Sequence, residues 1–315
     1  MSKFMVTGGA GFIGGHITEL LVAEGHDVVV FDDFSTGRIE NLVAVADKIE
    51  IIKADIRDTD ALNNAMRGVD YVIHQAAEIS NTKSVEDPAW ANSVNVDGTL
   101  NVLISARDAG VKRLTMASSC AIYGDTGAQP QREDFLPHPL SPYGATKICG
   151  EHYLSVFNQI YGLETVRLRY FNVFGIRQNP DSQYAAVIPK FIDRIMDGRE
   201  LHIYGDGSQT RDFVYVENVA RANYLACIKE GVAGEVFNIA SGASIDLNGL
   251  VSQLKQLAGK EIEVIYDPPV VGDIKYSTSD ISKARELLGY SPSVSFEEGL
   301  KRTFVYFTSK AGSTS

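Results

Sequence analysis

Phe4-Met5-Val6-Thr7-Gly8-Gly9-Ala10-Gly11-Phe12-Ile13-Gly14 runs from a short apolar strand pattern into a glycine-rich turn, and Ile17, Leu20, Leu21 and Ala23 continue it as an amphipathic helix. The glycines recur as GxxGxxG at Gly8, Gly11 and Gly14. Glycine at such a strand-to-helix junction permits a tight turn, lets a pyrophosphate approach the backbone, and lets the helix pack closely on its strand. The helix amino terminus, with Phe12 and Ile13, then faces the phosphates. Alone such a run also suits any tight turn; at this junction it predicts a dinucleotide site.

The pattern repeats outward from that turn. Short β-rich runs at Asp27 to Asp32, Ile49 to Asp55, Asp70 to Gln75, Arg113 to Ser118 and Thr165 to Phe171 alternate with helical stretches, as βαβ units of a parallel sheet do. Runs such as Val28 to Phe31 are apolar at every position, which predicts helices on both faces. The fold class expected is α/β, a Rossmann-like doubly wound parallel sheet with a smaller α/β substrate-binding lobe. Residues 1–170, with a return at 213–240, form the dinucleotide-binding domain in this reading. Residues 171–212 and 241–309, punctuated by glycine and proline, form the second lobe, and 310–315 reads as a disordered tail.

Asp32 ends the second strand about twenty residues past the glycines, where a carboxylate accepts hydrogen bonds from ribose hydroxyls and repels a 2′-phosphate. This favours NAD over NADP, although Arg38 stands a few residues on and suits a phosphate if the loop folds back. Asp33 and Ser35 share that loop, and the plain alternative is that Asp32 and Asp33 cap a turn. Asp55, with Ile56 beside it, follows the third strand and suits adenine contact or simple strand termination.

The bulk numbers narrow the class. A chain of 315 residues has room for two unequal cores, and 44% hydrophobic with 22% charged residues is ordinary for a globular protein. No apolar run approaches the ~20 residues of a membrane span. The stretch MSKFMVTGG lacks the succession of basic, long apolar and small-residue segments of a secretory leader. Three cysteines, Cys120, Cys149 and Cys227, stand without CxxC spacing, which argues against a disulfide framework or a zinc site and for a reducing, cytoplasmic setting. No metal is expected. A net charge of −11 disfavours general nucleic-acid binding but not a local pocket for a phosphorylated small molecule.

Ser141-Pro142-Tyr143-Gly144-Ala145-Thr146-Lys147 precedes a helical pattern to Phe157, so Tyr143 and Lys147 fall four residues apart on one face. A phenol of pKa roughly 10 is a poor base at neutral pH, and a neighbouring ammonium favours the phenolate. Tyr143 is thereby a candidate base and Lys147 its activator; an ordinary solvated Tyr/Lys pair has the same spacing.

The glycine turn, Asp32, the Tyr143 and Lys147 pair, and Ala117-Ser118-Ser119-Cys120-Ala121-Ile122-Tyr123-Gly124 occur in an order that resembles the extended short-chain dehydrogenase/reductases. The nearest likeness is to the UDP-glucose and UDP-N-acetylglucosamine 4-epimerases, from Phe4 to about Phe307. The resemblance implies NAD as cofactor and a UDP-sugar as substrate. It implies that Ser119 hydrogen-bonds the substrate 4-hydroxyl and relays its proton, and Ser119 also ends a parallel strand, where ligands of such sheets bind. Ser118 is a cofactor or backbone contact in this reading, and Ala76, Ala77, Asn95 and Tyr170 add cofactor contacts. Cys120 and Ala121 stand where dehydratases of the superfamily carry adjacent acidic residues, which lowers a dehydratase reading.

In the second lobe Tyr170-Phe171-Asn172 resembles the element whose asparagine contacts the diphosphate or sugar. Tyr204 to Phe213 resembles the pyrophosphate-binding stretch, with Arg211 as its cation. A second arginine usual before the Gly-Asp is Val270 here, ahead of Gly272-Asp273; Lys275 is a candidate replacement, and Asp273 is carried over as a substrate contact. Ser277 occupies the position where glucose-only epimerases tend to carry tyrosine, so room for an N-acetyl group is expected. UDP-glucuronate epimerases, decarboxylases, net reductases and a silent NAD-binding scaffold are the alternatives. The long helices expected at Trp90 to Arg107 and Tyr143 to Phe157 imply, by the same resemblance, a homodimer, although their apolar stripes also suit packing inside one chain.

Overall fold

The computed structural model describes residues 1–125, 127, 129–179, 187–269 and 275–311. Six strands, β1 (Lys3–Thr7), β2 (Asp27–Asp32), β3 (Ile49–Lys53), β4 (Tyr71–His74), β5 (Arg113–Ser119) and β6 (Glu164–Tyr170), are joined by a seventh, Val236–Ile239. Their order across the sheet is Val236–Ile239, β6, β5, β4, β1, β2, β3. Every neighbouring pair is parallel. The register brings Thr7 beside Phe31 and His74, and Ser119 beside Tyr170, so the carboxyl ends of the strands form one edge. Strand order reverses beside β1, and a crevice opens there.

Burial explains why the central strands carry no polar alternation. Val28 and Val30 pack into one apolar cluster with Ile17 and Leu21 of α1 (Phe12–Ala23), while Val29 and Phe31 pack into another with Leu62 of α2 (Thr59–Ala65). Side chains alternate between faces along a strand, and here both faces are covered. The helix Val216–Ile228 lies against α1, which returns the chain to this sheet before Val236–Ile239 joins its edge.

The smaller lobe gathers on a cluster that includes Phe174, Phe191, Phe213, Tyr215, Leu250, Leu254 and Leu300. The helix Val187–Met196 buries Ile188, Phe191, Ile192 and Ile195, an i, i+3, i+4, i+7 stripe. Two short pairings frame it, Leu201–Tyr204 with Val264–Asp267 in parallel and Thr210–Arg211 with Ile245–Asp246 antiparallel.

Three element boundaries differ from those read in the sequence. The helix read from Trp90 to Arg107 is an unbroken helical run of α4 (Pro88–Asn92), a π-helical turn Ser93–Gly98 and α5 (Thr99–Asp108), preceded by the short α3 (Asn81–Glu86). Gly98 sits where a Cβ would come within 2.5 Å of Ile56, so the turn is pressed against the β3 loop. Strand β3 stops at Lys53, which leaves Asp55 in the loop beyond it. The last helix runs over Phe296–Ala311, and the rest of the segment read as a disordered tail, 312–315, lies outside the described residues. The helix carrying Tyr143 and Lys147, α6, runs over Pro142–Tyr161. Ser141 accepts a hydrogen bond from the Gly144 amide, Pro142 occupies the first turn, and Gly162 at φ 71° ends the helix. Among the described residues no helix is long and apolar enough to cross a membrane.

Candidate active site

A cleft of about 1200 Å³ runs over the carboxyl edge of the sheet and up the wall of the smaller lobe. At its floor Gly8 adopts φ 67°, and a Cβ there would come within 2.7 Å of the Ala76 amide. A Cβ at Gly14 would strike the Gly8 carbonyl, so the turn admits no side chain. Gly11 caps α1 without a side-chain hydrogen bond, and no acidic residue stands in the first turn. The orphan amides of that turn and the positive end of the helix dipole therefore face the cleft, an arrangement that fits a pyrophosphate.

Asp32 is buried at the end of β2, and its two oxygens accept from the Ala10 amide at 2.9 Å and the Phe34 amide at 2.8 Å. Burial raises its carboxyl pKa, and these two bonds oppose the rise. Two bonds leave a carboxylate with acceptor capacity for ribose hydroxyls. Asp33 accepts from the Ser35 amide and hydroxyl, so it does cap the turn, and both residues line the cleft. Arg38 is exposed and donates its amide to the Ala10 carbonyl; its side chain is not part of the cleft wall. Asp55 is clamped by Arg57 at 2.6 Å, a bond that depresses its pKa, and Arg57 in turn lies 4.4 Å over the Trp90 ring. Ile56, Ala76 and Ala77 complete this end. These residues fit a dinucleotide whose ribose carries no extra phosphate.

Three side chains meet in the middle of the cleft. Ser119 ends β5, accepts from the Ala121 amide at 3.1 Å, and stands close enough to Tyr143 to draw its phenol pKa down. Lys147 is buried, donates to the Ala117 carbonyl at 2.9 Å, and holds its ammonium 5.8 Å from the Tyr143 ring centre. Burial pushes the Tyr143 phenol up to about 12 against the pull of Ser119, and burial brings Lys147 down to about 8. The pair lies on a helix face turned inward to β5 rather than to solvent. Cys120, at the same place, is pushed up to about 11 by burial, which makes it a packed thiol and not a nucleophile.

Other expected contacts are positioned differently. Asn95 stands behind the wall: its carboxamide exchanges hydrogen bonds with the Glu78 backbone at 2.8 and 2.9 Å and donates to Thr146 at 3.0 Å. It shapes the Ala76–Glu78 loop instead of facing the cleft. Ser118 lines the cleft, but its hydroxyl donates to Glu151 at 2.5 Å. The Tyr170 hydroxyl is spent on Asn223 at 2.9 Å and Gln75 at 3.0 Å, leaving its ring edge as cleft wall.

On the second lobe Asn172 donates its side-chain amide to the Asp212 carbonyl at 3.2 Å, and Arg211 lines the same wall. The Asp212 carboxyl between them is buried, which pushes it up to about 6, and it ties down the Ser241 and Gly242 amides at 2.8 and 3.1 Å. Ser277 is 7% exposed and lines the cleft. Lys275 faces an adjoining pocket of about 780 Å³ that shares Tyr204 and Gln209 with the main cleft. Asp273 and Val270 lie outside the described residues.

Sequence reasoning missed Lys190, which brings a cation to the cleft from the helix Val187–Met196, and Glu151 behind Ser118. Glu151 follows Lys147 by four residues, the same spacing that exposed the Tyr143 and Lys147 pair; Lys190 had no such local signal. Among the described residues no group of three or more His, Cys, Asp or Glu side chains is placed to hold a metal.

The comparisons follow this geometry. Residues 4–240 match the model of the NAD dependent epimerase/dehydratase family. A UDP-glucose 4-epimerase of Mycolicibacterium smegmatis is 39% identical over 98% of this chain and 99% of its own. Among solved structures, a UDP-N-acetylglucosamine 4-epimerase from Methanobrevibacter ruminantium, in complex with UDP-N-acetylmuramic acid, superposes with a TM-score of 0.94 at 40% identity, covering 98% and 99% of the two chains. A UDP-glucose 4-epimerase of Thermotoga maritima with UDP-glucose gives a TM-score of 0.93 at 41% identity over the same shares. With its glycine cradle, its ribose carboxylate and its buried tyrosine and lysine, the chain belongs to the NAD-dependent epimerase/dehydratase family.

Proposed function

We propose that this protein is a UDP-hexose 4-epimerase acting on UDP-glucose and UDP-galactose and on their N-acetylhexosamine counterparts. The observation that carries the reading is the cluster of half-buried Ser119 with buried Tyr143 and Lys147, set in one cleft between a dinucleotide cradle and a wall bearing Arg211. Tyr143 takes the proton of the C4 hydroxyl, and the neighbouring Ser119 passes it between substrate and phenol. NAD, when bound, supplies reversible hydride acceptance, so that C4 is oxidised and then reduced. Lys147 holds a positive charge beside the phenol, which lowers the cost of the phenolate that burial alone makes unfavourable. Asn172 and Arg211 grip the diphosphate while the 4-keto sugar turns its other face to the cofactor. Burial of the cluster keeps water from the keto sugar until reduction is complete.

Ser277 supports the wider sugar range, since a small side chain at the cleft wall leaves room for a C2 acetamido group. Cys120 and Ala121 place no carboxylic acid beside Tyr143, which speaks against elimination of water. Product analysis after incubation with UDP-glucose, UDP-N-acetylglucosamine and UDP-glucuronate tests the assignment. C4 epimers of the first two are expected, and a pentose product or turnover of the glucuronate alone would sink it. Tyr143→Phe is expected to lose at least about 100-fold in turnover while NAD binding persists, as removal of a general base does; retained turnover would remove Tyr143 from the chemistry.

A further inference from the structure

The first turn of α6 carries the proposed base, and its backbone amides need partners from outside the helix. Pro142 has no N–H. Ser141 takes two of the others, its hydroxyl accepting from the Gly144 amide at 3.2 Å and its carbonyl from the Ala145 amide at 3.0 Å. The amide left over is that of Tyr143 itself. It donates at 3.0 Å to the hydroxyl of Ser84 on α3, a side chain that is wholly buried and lies outside the cleft lining. Ser84 is fixed in turn: its hydroxyl donates to the Asn81 carbonyl at 2.6 Å, and the Asn81 side-chain oxygen accepts from the Ser141 hydroxyl at 2.7 Å. Both hydroxyls that cap α6 therefore donate to one residue of α3, which joins the first turns of the two helices. The Tyr143 carbonyl is held as well, by the Thr146 hydroxyl at 2.8 Å, which accepts from Asn95 at 3.0 Å. With its backbone held at both ends, the phenol has a fixed origin.

We infer that Ser84 is a positioning residue, which holds the backbone of Tyr143 so that its phenol stays against Ser119 and Lys147. The inference rests on the reading of Tyr143 as the base given above and adds the group that sets its place. A serine hydroxyl accepts from an amide and donates at the same time, and alanine does neither. With alanine at position 84 the Tyr143 amide is left buried without an acceptor, which is unfavourable, and the first turn of α6 shifts or frays to find one. A small shift has a large consequence, since a misplacement of about 1 Å can cost ~100-fold in rate. The groups facing the phenol are Ser119 and Cys120 at the end of β5 and Lys147 of α6, and Ser119 draws the phenol pKa down. Displacement from Ser119 and Lys147 therefore makes the phenolate harder to form.

Ultraviolet difference titration of the NAD-saturated protein against its Tyr143→Phe variant reads the ionisation of Tyr143 without reference to turnover. In Ser84→Ala that ionisation should move to higher pH by about one unit, a tenfold change in its equilibrium. In turnover of UDP-glucose, kcat should fall about tenfold and its acid limb should move up with the phenol, while KM and NAD affinity change by less than about threefold. Ser295→Ala removes a side-chain acceptor from the Glu298 amide at the start of the last helix, away from the cleft. It is the control for lost stability alone and should leave the Tyr143 ionisation in place. A Ser84→Ala protein with lowered Tm and an unmoved Tyr143 ionisation, or an equal shift in Ser295→Ala, overturns the inference, because the Ser84 bond then serves stability only. Wild type that gives no C4 epimer of any UDP-sugar overturns the epimerase assignment instead, and the Ser84-dependent ionisation of Tyr143 still decides the inference.

Discussion

Tyr143 and Lys147 show why burial alone does not make a catalytic base. Burial moves the phenol up to about 12 and the ammonium down to about 8, so each charge is disfavoured by its surroundings, and the proposed role of Tyr143 as base needs the charge of a neighbouring cation to make the phenolate accessible. Their spacing was legible because i, i+4 geometry is local. Ser84 was not legible, since nothing in the polar segment Asn81-Thr82-Lys83-Ser84 distinguishes a buried serine from a solvated one. His74 was equally silent. It lies between Thr7, which also accepts from the Ala76 amide, and Thr99, at 2.7 and 3.0 Å, and burial, with the nearby Lys147 charge, lowers its pKa to about 3. Between pH 6.5 and 3 the unfolded chain carries a proton at this histidine that the folded chain does not. Its contribution to stability therefore falls as pH falls through that window, by about 1.4 kcal/mol per unit. Denaturant titrations at pH 7 and pH 5 should show a smaller acid loss for His74→Gln than for wild type, by roughly 2 kcal/mol. Equal losses would mean that His74 is protonated in the folded state.

At the scale of elements, the site depends on how α6 is docked against β5. Tyr143, Lys147 and Glu151 succeed one another every four residues and reach Ser119, the Ala117 carbonyl and Ser118 in turn. Glu151 is also paired with Arg169 of β6 at 2.8 and 2.9 Å, both side chains are buried, and Arg169 donates to Tyr123 at 2.9 Å. The sheet itself was legible from apolar runs, because strands covered on both faces carry no polar positions. This tie was not, because its partners stand 18 and 33 residues apart, and no short period reports such a pairing. The π-helical turn inside the expected Trp90 to Arg107 helix escaped for a related reason: it packs Gly98 on Ile56, a contact made across the fold. Removing one partner of a buried ion pair leaves an uncompensated charge, so Arg169→Met should cost about 3–5 kcal/mol. Glu151→Leu combined with Arg169→Met should recover most of that loss in chemical denaturation, because no charge then remains buried. Equal losses for the single and double variants would show that Arg169 acts through Tyr123 and not through Glu151.

For the whole molecule, α6 has a second face that the chain itself does not cover. Tyr153, Val156 and Ile160 follow one another at i, i+3 and i+7 and are 37%, 42% and 71% exposed, with Tyr161 beside them at 50%. Tyr143 and Lys147 occupy the opposite, buried face of the same helix. An exposed apolar stripe of this length is costly in water and suits isologous pairing about a two-fold axis, where each copy covers the other's helix. These apolar side chains stand exposed on α6, and we propose that a second copy of the chain covers them in the expected homodimer. Sedimentation of the wild-type protein should give a dimer, and Val156→Glu with Ile160→Glu should give a monomer, since two like charges would face their own copies across the axis. Because α6 also carries Tyr143 and Lys147, the proposed base and its lysine, the monomeric variant should lose turnover before it loses NAD affinity. A variant that stays dimeric would move the interface to another face, and a wild-type monomer would leave the stripe without a partner of its own kind.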